Sequence, residues 1–155
     1  MIMDHKLKLM VVDDSPLFRT WLIRSLSADD RFQIVGYAVN ALDAQEKIPL
    51  LQPDMLTLDI EMPGMSGIDF LKQLLPVHPI PVILVSSLNL RVFDALEAGA
   101  VDFVRKPDEA NGLSKEIFLS MLRSKLLVAA ASHVHLPSVP ASPQAAKKRI
   151  VSPLT

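Results

Sequence analysis

The stretch LKLMVVDDSP, Leu7 to Pro16, changes from one backbone period to another within a few residues. Leu7 to Val12, apolar but for Lys8, reads as a strand that stops at Asp13-Asp14. Ser15 then offers a helix cap, and Pro16 fits the first helical position, where its missing N–H costs nothing. Phe18, Leu22 and Leu26 recur every four residues, with Trp21 and Ser25 beside them, which predicts a helix over 16–27. A strand that hands over directly to a helix is half of the βαβ unit of a parallel sheet.

The same alternation runs outward along the chain. Phe32 to Ala38 reads as a second strand. A helix follows from about Ala41, with Leu42, Ile48 and Leu51 apolar, and Pro49 should end or kink it. Met55 to Leu58 reads as a third strand that stops at Asp59, and the Gly/Pro-rich loop IEMPGMSG comes next. Ser66 can cap a third helix, with Asp69 at its third position and Ile68, Leu71, Leu74 and Leu75 on its apolar face. Pro81 to Val85 shows no alternation, as expected of a strand buried on both faces. Leu90 to Ala98 predicts a short helix closed by Gly99, and Val101 to Val104 a fifth strand. Ser114 to about Ala131 predicts the last helix, with Ile117, Met121, Leu122 and Leu126 facing inward. The expected fold class is therefore α/β, a five-stranded parallel sheet with helices on both faces, occupying residues 1–131. Residues 132–155 hold the proline-rich LPSVPASP and the triplet Lys147-Lys148-Arg149, and read as a poorly ordered linker or tail.

Composition agrees with one globular domain. The chain has 155 residues, half of them apolar, with 21% charged and 5% aromatic. A net charge of -1 gives no bulk attraction to nucleic acid or anionic membrane, so no nucleic-acid partner is expected. With no cysteine, disulfides, thiolate zinc sites and cysteine nucleophiles are excluded. No run of eighteen apolar residues could span a bilayer, and the opening MIMDHKLKLM lacks a secretory core. A soluble, cytoplasmic protein without membrane insertion is the expectation.

In open α/β sheets, function collects at the carboxyl ends of the strands. Asp13 and Asp14 end the first strand, Asp59 the third, Ser86 and Ser87 the fourth, and Lys106-Pro107 the fifth. Three converging carboxylates repel one another and call for a cation. An oxygen-only ligand set without His or Cys suits Mg²⁺, with Mn²⁺ able to substitute. Lys106 can neutralise an incoming anion, and the hydroxyls of Ser86 or Ser87 can donate to its oxygens. Together these describe an aspartyl-phosphate acceptor with Asp59 as nucleophile, since Asp59 stands alone on the central strand between the acidic pair and the lysine.

The ordered set of DD, D, S and KP at four strand ends resembles the receiver domain of two-component response regulators. MVVDDSPLFR, DMLTLDIEMPGMSGIDFL, PVILVSSL and ALEAGAVDFVRKP resemble one branch, the regulatory domain of the chemotaxis protein-glutamate methylesterase. The resemblance implies a flavodoxin-like receiver fold of strand order 2-1-3-4-5. It implies phosphorylation of Asp59 by a chemotaxis-type histidine kinase, with Mg²⁺ held by Asp13, Asp14, Asp59 and the backbone carbonyl of Glu61. Ser86 matches the hydroxyl that turns toward the phosphoryl group, Lys106 the family's lysine, and Phe103 the aromatic whose rotamer follows the switch. In a full-length protein the receiver would gate, in cis, a methylesterase and glutamine deamidase that acts on chemoreceptors.

Two departures from that pattern stand out. Only Leu88 to Asp94 separate Ser86-Ser87 from ALEAGA, so the fourth helix or its leading loop is short, and dimerisation through it is not expected. The catalytic half of the family is not present in these residues: no GxSxG elbow occurs, and His133 and His135 lie near the linker. These residues should therefore not form an esterase by themselves. Alternative readings are a partly degenerate receiver that acts by binding partners, or a small Mg²⁺-dependent phosphohydrolase. The second would want DxD on one strand, which is not the pattern here. Glu61 is a further candidate, its side chain placed to tune attack of water on the phosphoryl group.

Overall fold

The computed structural model describes residues 6–87, 91–108, 112 and 114–135, the last three by their backbone alone. Its elements are β1 (Leu7–Val12), α1 (Pro16–Ser27), β2 (Phe32–Ala38), α2 (Ala41–Leu51), β3 (Met55–Leu58), α3 (Gly67–Leu74), β4 (Val82–Ser86), α4 (Val92–Glu97), β5 (Asp102–Arg105) and α5 (Lys115–His135). The strands form one parallel sheet in the order β2-β1-β3-β4-β5.

Strand alternation divides the apolar residues between two faces. Met10, Val12, Leu56, Leu58, Val82 and Leu84 pack with α2, α3 and α4 through residues such as Ala44, Ile48, Leu71 and Ala95. Leu9, Val11, Met55, Ile83, Val85 and Val104 pack with α1 and α5 through Leu22, Leu26, Phe118, Leu122 and Leu126. The central strands are thus apolar in both directions, which is why β3 and β4 read as unbroken runs.

The caps explain where several helices begin. Ser15 Oγ accepts from the Phe18 N–H at 3.4 Å, Asn40 Oδ1 from Asp43 at 2.8 Å, and Ser66 Oγ from Asp69 at 3.2 Å. Pro49 does not end α2, which continues to Leu51. So close to the carboxyl terminus it deprives only the Gln45 carbonyl of its helical donor. Gln52, at φ 49°, then turns the chain out.

Three sequence expectations need correction. Ile117 and Met121 do not face inward: they are 50% and 41% exposed, while Phe118 and Leu122 are buried. The buried row is Phe118, Leu122, Leu126, Ala129 and Ala130, one position along from the Ile117–Met121 row. β4 and β5 each begin one residue later than expected and include Ser86 and Arg105. The last helix extends to His135 rather than stopping near Ala131. The expected start of α4 at Leu90, and the tail beyond His135, lie outside the described residues.

Candidate functional site

Backbone pairing puts the acidic residues side by side. The Asp59 N–H donates to the Val12 carbonyl at 3.0 Å and the Asp13 N–H to the Ala38 carbonyl at 3.1 Å, so the β1 and β3 exits are locked to their neighbours. Asp13 and Asp59 are almost wholly buried, whereas Asp14 is exposed. One carboxylate oxygen from each of the three lies within 4.8 Å of the others. That is near the roughly 4.2 Å span of opposed ligands in a Mg²⁺ shell with bonds of about 2.1 Å. The donor set, all hard oxygens with one side open to water, fits a divalent cation of this kind.

Lys106 closes the cluster. Its backbone N–H donates to the Ser86 carbonyl at 3.0 Å, which fixes the β5 exit beside that of β4. Its ammonium reaches Asp13 Oδ2 at 3.0 Å and Asp59 Oδ2 at 3.4 Å. The other oxygens are held as well: Asp13 Oδ1 accepts from the Ser15 N–H at 2.8 Å, and Asp59 Oδ1 from the Glu61 N–H at 3.1 Å. Burial pushes the Asp59 carboxyl up from 3.8 to about 6; the Lys106 charge opposes this rise and the neighbouring Asp13 charge adds to it. The site therefore costs energy to ionise, and a second positive charge would relieve it.

Ser86 is fully buried at the end of β4, and the neighbouring Ser87 is exposed. Only one of the two serines is therefore enclosed at the head of the crevice. The Glu61 side chain is exposed, while its backbone sits at the mouth. Phe103 on β5 is partly buried and packs on the core under α2, α3 and α4.

Three residues of this neighbourhood did not emerge from the sequence as parts of the site. Arg19 Nη1 donates to the Asp13 carbonyl at 2.8 Å, and its guanidinium lies 4.8 Å from the Tyr37 ring centroid. Phe18 places its ring 4.5 Å from Lys106 Nζ. Gly67 brings the start of α3 against the phosphoacceptor strand: its N–H donates to Ile60 O at 2.9 Å, and a Cβ there would stand 2.8 Å from both Asp59 O and Ile60 Cα. Glycine at the first position of a well-capped helix, where its propensity is poor, was the available signal for that close approach. For Phe18 and Arg19 the only sign was their place one turn into α1, where the helix comes back over the β1 exit.

Comparison with known proteins agrees with this geometry. The response regulator receiver domain family matches residues 9–118. A protein-glutamate methylesterase/protein-glutamine glutaminase of Syntrophomonas wolfei is 45% identical over 130 residues, 84% of this chain and 38% of its own length. The corresponding protein of Syntrophotalea carbinolica is 46% identical over 138 residues, 85% of this chain and again 38% of its own length. The chain thus spans less than two-fifths of these relatives. Among solved structures, the response regulator domain of Thermotoga maritima CheB superposes with a TM-score of 0.75 at 36% identity, covering 82% of this chain and 98% of that one.

Proposed function

The chain belongs to the response regulator receiver family, with a domain of the CheB type, and from that premise we propose that Asp59 accepts a phosphoryl group from a histidine kinase. The observation that carries this reading is the convergence of Asp13, Asp14, Asp59 and Lys106 at the carboxyl ends of β1, β3 and β5.

In the proposed step, the ionised Asp59 carboxylate attacks the phosphorus of a phosphohistidine. A P–O bond forms, the P–N bond breaks, and the histidine leaves as imidazole. A Mg²⁺ held by Asp13, Asp14, Asp59 and the Glu61 carbonyl would supply charge neutralisation for the carboxylates and the phosphoryl oxygens. Lys106 lies within reach of both buried aspartates and offsets charge on the transferring group. The Ser86 hydroxyl then donates to a phosphoryl oxygen, and Phe103 follows by a change of rotamer. The Glu61 side chain, exposed at the mouth, meets the path of attacking water and sets the lifetime of the acyl phosphate.

The partner in cis is the larger proposal. The relatives carry the names of methylesterases and glutaminases but extend well beyond the region matched here. In a protein of that length, this receiver gates the catalytic domain by a shift between two packings. Residues beyond His135 serve as the linker. Among the described residues no helix is long and apolar enough to cross a membrane. The exchange with the kinase is proposed to take place in the cytoplasm.

Intact mass after incubation with Mg²⁺ and acetyl phosphate tests the acceptor. The expected result is gain of one phosphoryl group, prevented by EDTA added beforehand and absent in Asp59→Asn. No gain from acetyl phosphate or from a phosphorylated chemotaxis-type kinase, in protein shown to be folded, would overturn the reading.

A further inference from the structure

We propose that Phe18 is a positioning residue for Lys106, an inference that rests on the phosphoacceptor reading above. Three groups define where the Lys106 ammonium sits: Asp13 Oδ2 at 3.0 Å, Asp59 Oδ2 at 3.4 Å, and the Phe18 ring, whose centroid is 4.5 Å away. The two carboxylates are the groups that a bound cation would also claim, and Asp59 is the one that would become an acyl phosphate. The ring is the one of the three that does not change.

The negative face of an aromatic ring attracts an ammonium without forming a bond that must later be broken. Lysine, on its flexible four-carbon stem, is the side chain that gains most from such a fixed surface. Its side chain is 17% exposed, so an open route to solvent exists. A lysine kept in the crevice throughout transfer has less reorganisation to make as charge develops on the phosphoryl oxygens.

The ring is braced. Trp21 packs against Phe18 at 5.7 Å between centroids, and Phe118 of α5 meets it edge-on at 5.9 Å, with Trp21 and Phe118 also 5.9 Å apart. The cluster ties the lysine's resting place to two helices behind the sheet. An aliphatic residue would continue the Leu22–Leu26 row on α1 equally well, so packing of the helix does not by itself require an aromatic at this position.

The test compares wild type, Phe18→Leu and Phe18→Tyr for the rate of phosphoryl uptake from acetyl phosphate at saturating Mg²⁺, with folding checked by circular dichroism. Phe18→Leu is expected to slow uptake by roughly three- to tenfold, the range a partly buried cation–π contact supplies. Phe18→Tyr restores most of the rate, and the Mg²⁺ midpoint stays within about twofold because no ligand is touched. A second readout separates positioning from packing: the Lys106 ε-methylene protons carry an upfield ring-current shift in wild type and Phe18→Tyr that disappears in Phe18→Leu. Phe18→Met serves the same purpose if the leucine variant fails to fold. Equal rates in wild type and a folded Phe18→Leu or Phe18→Met, or a tyrosine that does not rescue, overturn the role of Phe18 alone. Absence of uptake by wild type overturns the phosphoacceptor reading first and this role with it.

Discussion

The rim of the crevice is built in two different ways. On the side of β1 and β3 every backbone exit is tied down. Ser15 caps α1, Arg19 holds the Asp13 carbonyl, and Gly67 lets α3 press on the backbone of Asp59 and Ile60. On the side of β4 the helix that follows has only six residues. Its cap residue Arg91 sits at φ -100°, ψ 3° and makes no side-chain cap bond, and Phe93 is 76% exposed. The contrast has a physical logic. Like charges stay close only where the backbone beneath them cannot relax, whereas a short helix without a side-chain cap has little holding it in place. Val92 and Ala95 are the buried residues of α4, so α4 has little to lose.

The strongest way to break this comparison is to add a methyl group on the tight side. Gly67→Ala places a Cβ 2.8 Å from two backbone atoms, neither of which can rotate away. We expect a loss of about 3 kcal/mol in urea unfolding, the upper part of the usual range for overpacking, together with slower phosphoryl uptake. Phe93→Ala, on the exposed face of α4, should stay within about 0.5 kcal/mol of wild type. Similar losses for the two variants would mean that the two sides are not differently built.

A second test uses the charge itself. With its pKa raised from 3.8 to about 6, Asp59 holds its proton more tightly in the fold than in the unfolded chain. Its contribution to stability is therefore full below about pH 4 and is lost as pH rises through 6. Linkage bounds that loss at roughly 3 kcal/mol. Asp59→Asn removes the ionisation, and in metal-free protein it should be more stable than wild type by about 1–2 kcal/mol at pH 7.5, since Lys106 gives up one partner. The difference should vanish near pH 4 and shrink when Mg²⁺ is added to wild type. A destabilised Asp59→Asn at pH 7.5 without metal would show that Lys106 more than offsets the burial of Asp59.

Legibility from sequence follows the same division. Strands, helix starts and acidic set were readable because each has a local signature: largely apolar runs that stop at aspartate, a serine cap with proline at the first helical position, a fully apolar fourth strand. The receiver pattern then supplied the strand order that local periodicity does not. What failed depended on an angle or on a tertiary contact. Ile117 and Met121 are four apart and apolar, yet the neighbouring row from Phe118 faces the sheet, and in a helix rich in apolar residues the two rows differ by only a fraction of a turn. Phe18 read as core, because nothing in the chain says that residue 106 will arrive over its ring. Gly67 read as loop material, although its need is steric and lies in Asp59 and Ile60.

The smaller predictions sharpen the comparison at the two helix starts. Ser15→Ala removes the acceptor for the Phe18 N–H in α1 and should cost about 1 kcal/mol in thermal or urea unfolding. The mirror experiment gives α4 an acidic cap. Arg91→Asp replaces a cation at a helix amino terminus, where negative charge is favoured, and a well-placed aspartate cap would ordinarily stabilise by about 1 kcal/mol. Here the gain should stay below about 0.5 kcal/mol, because side-chain caps need extended backbone of the kind Ser15 has at φ -87°, ψ 111°. At ψ 3° the carboxylate at 91 is not directed at the free N–H groups of the first turn, so only the charge term survives, and high salt should erase it. A full, salt-resistant gain would mean that the backbone at 91 readily adopts the extended form. The start of α4 would then be as well specified as that of α1, and the asymmetry of the rim would lie in the length of α4 alone.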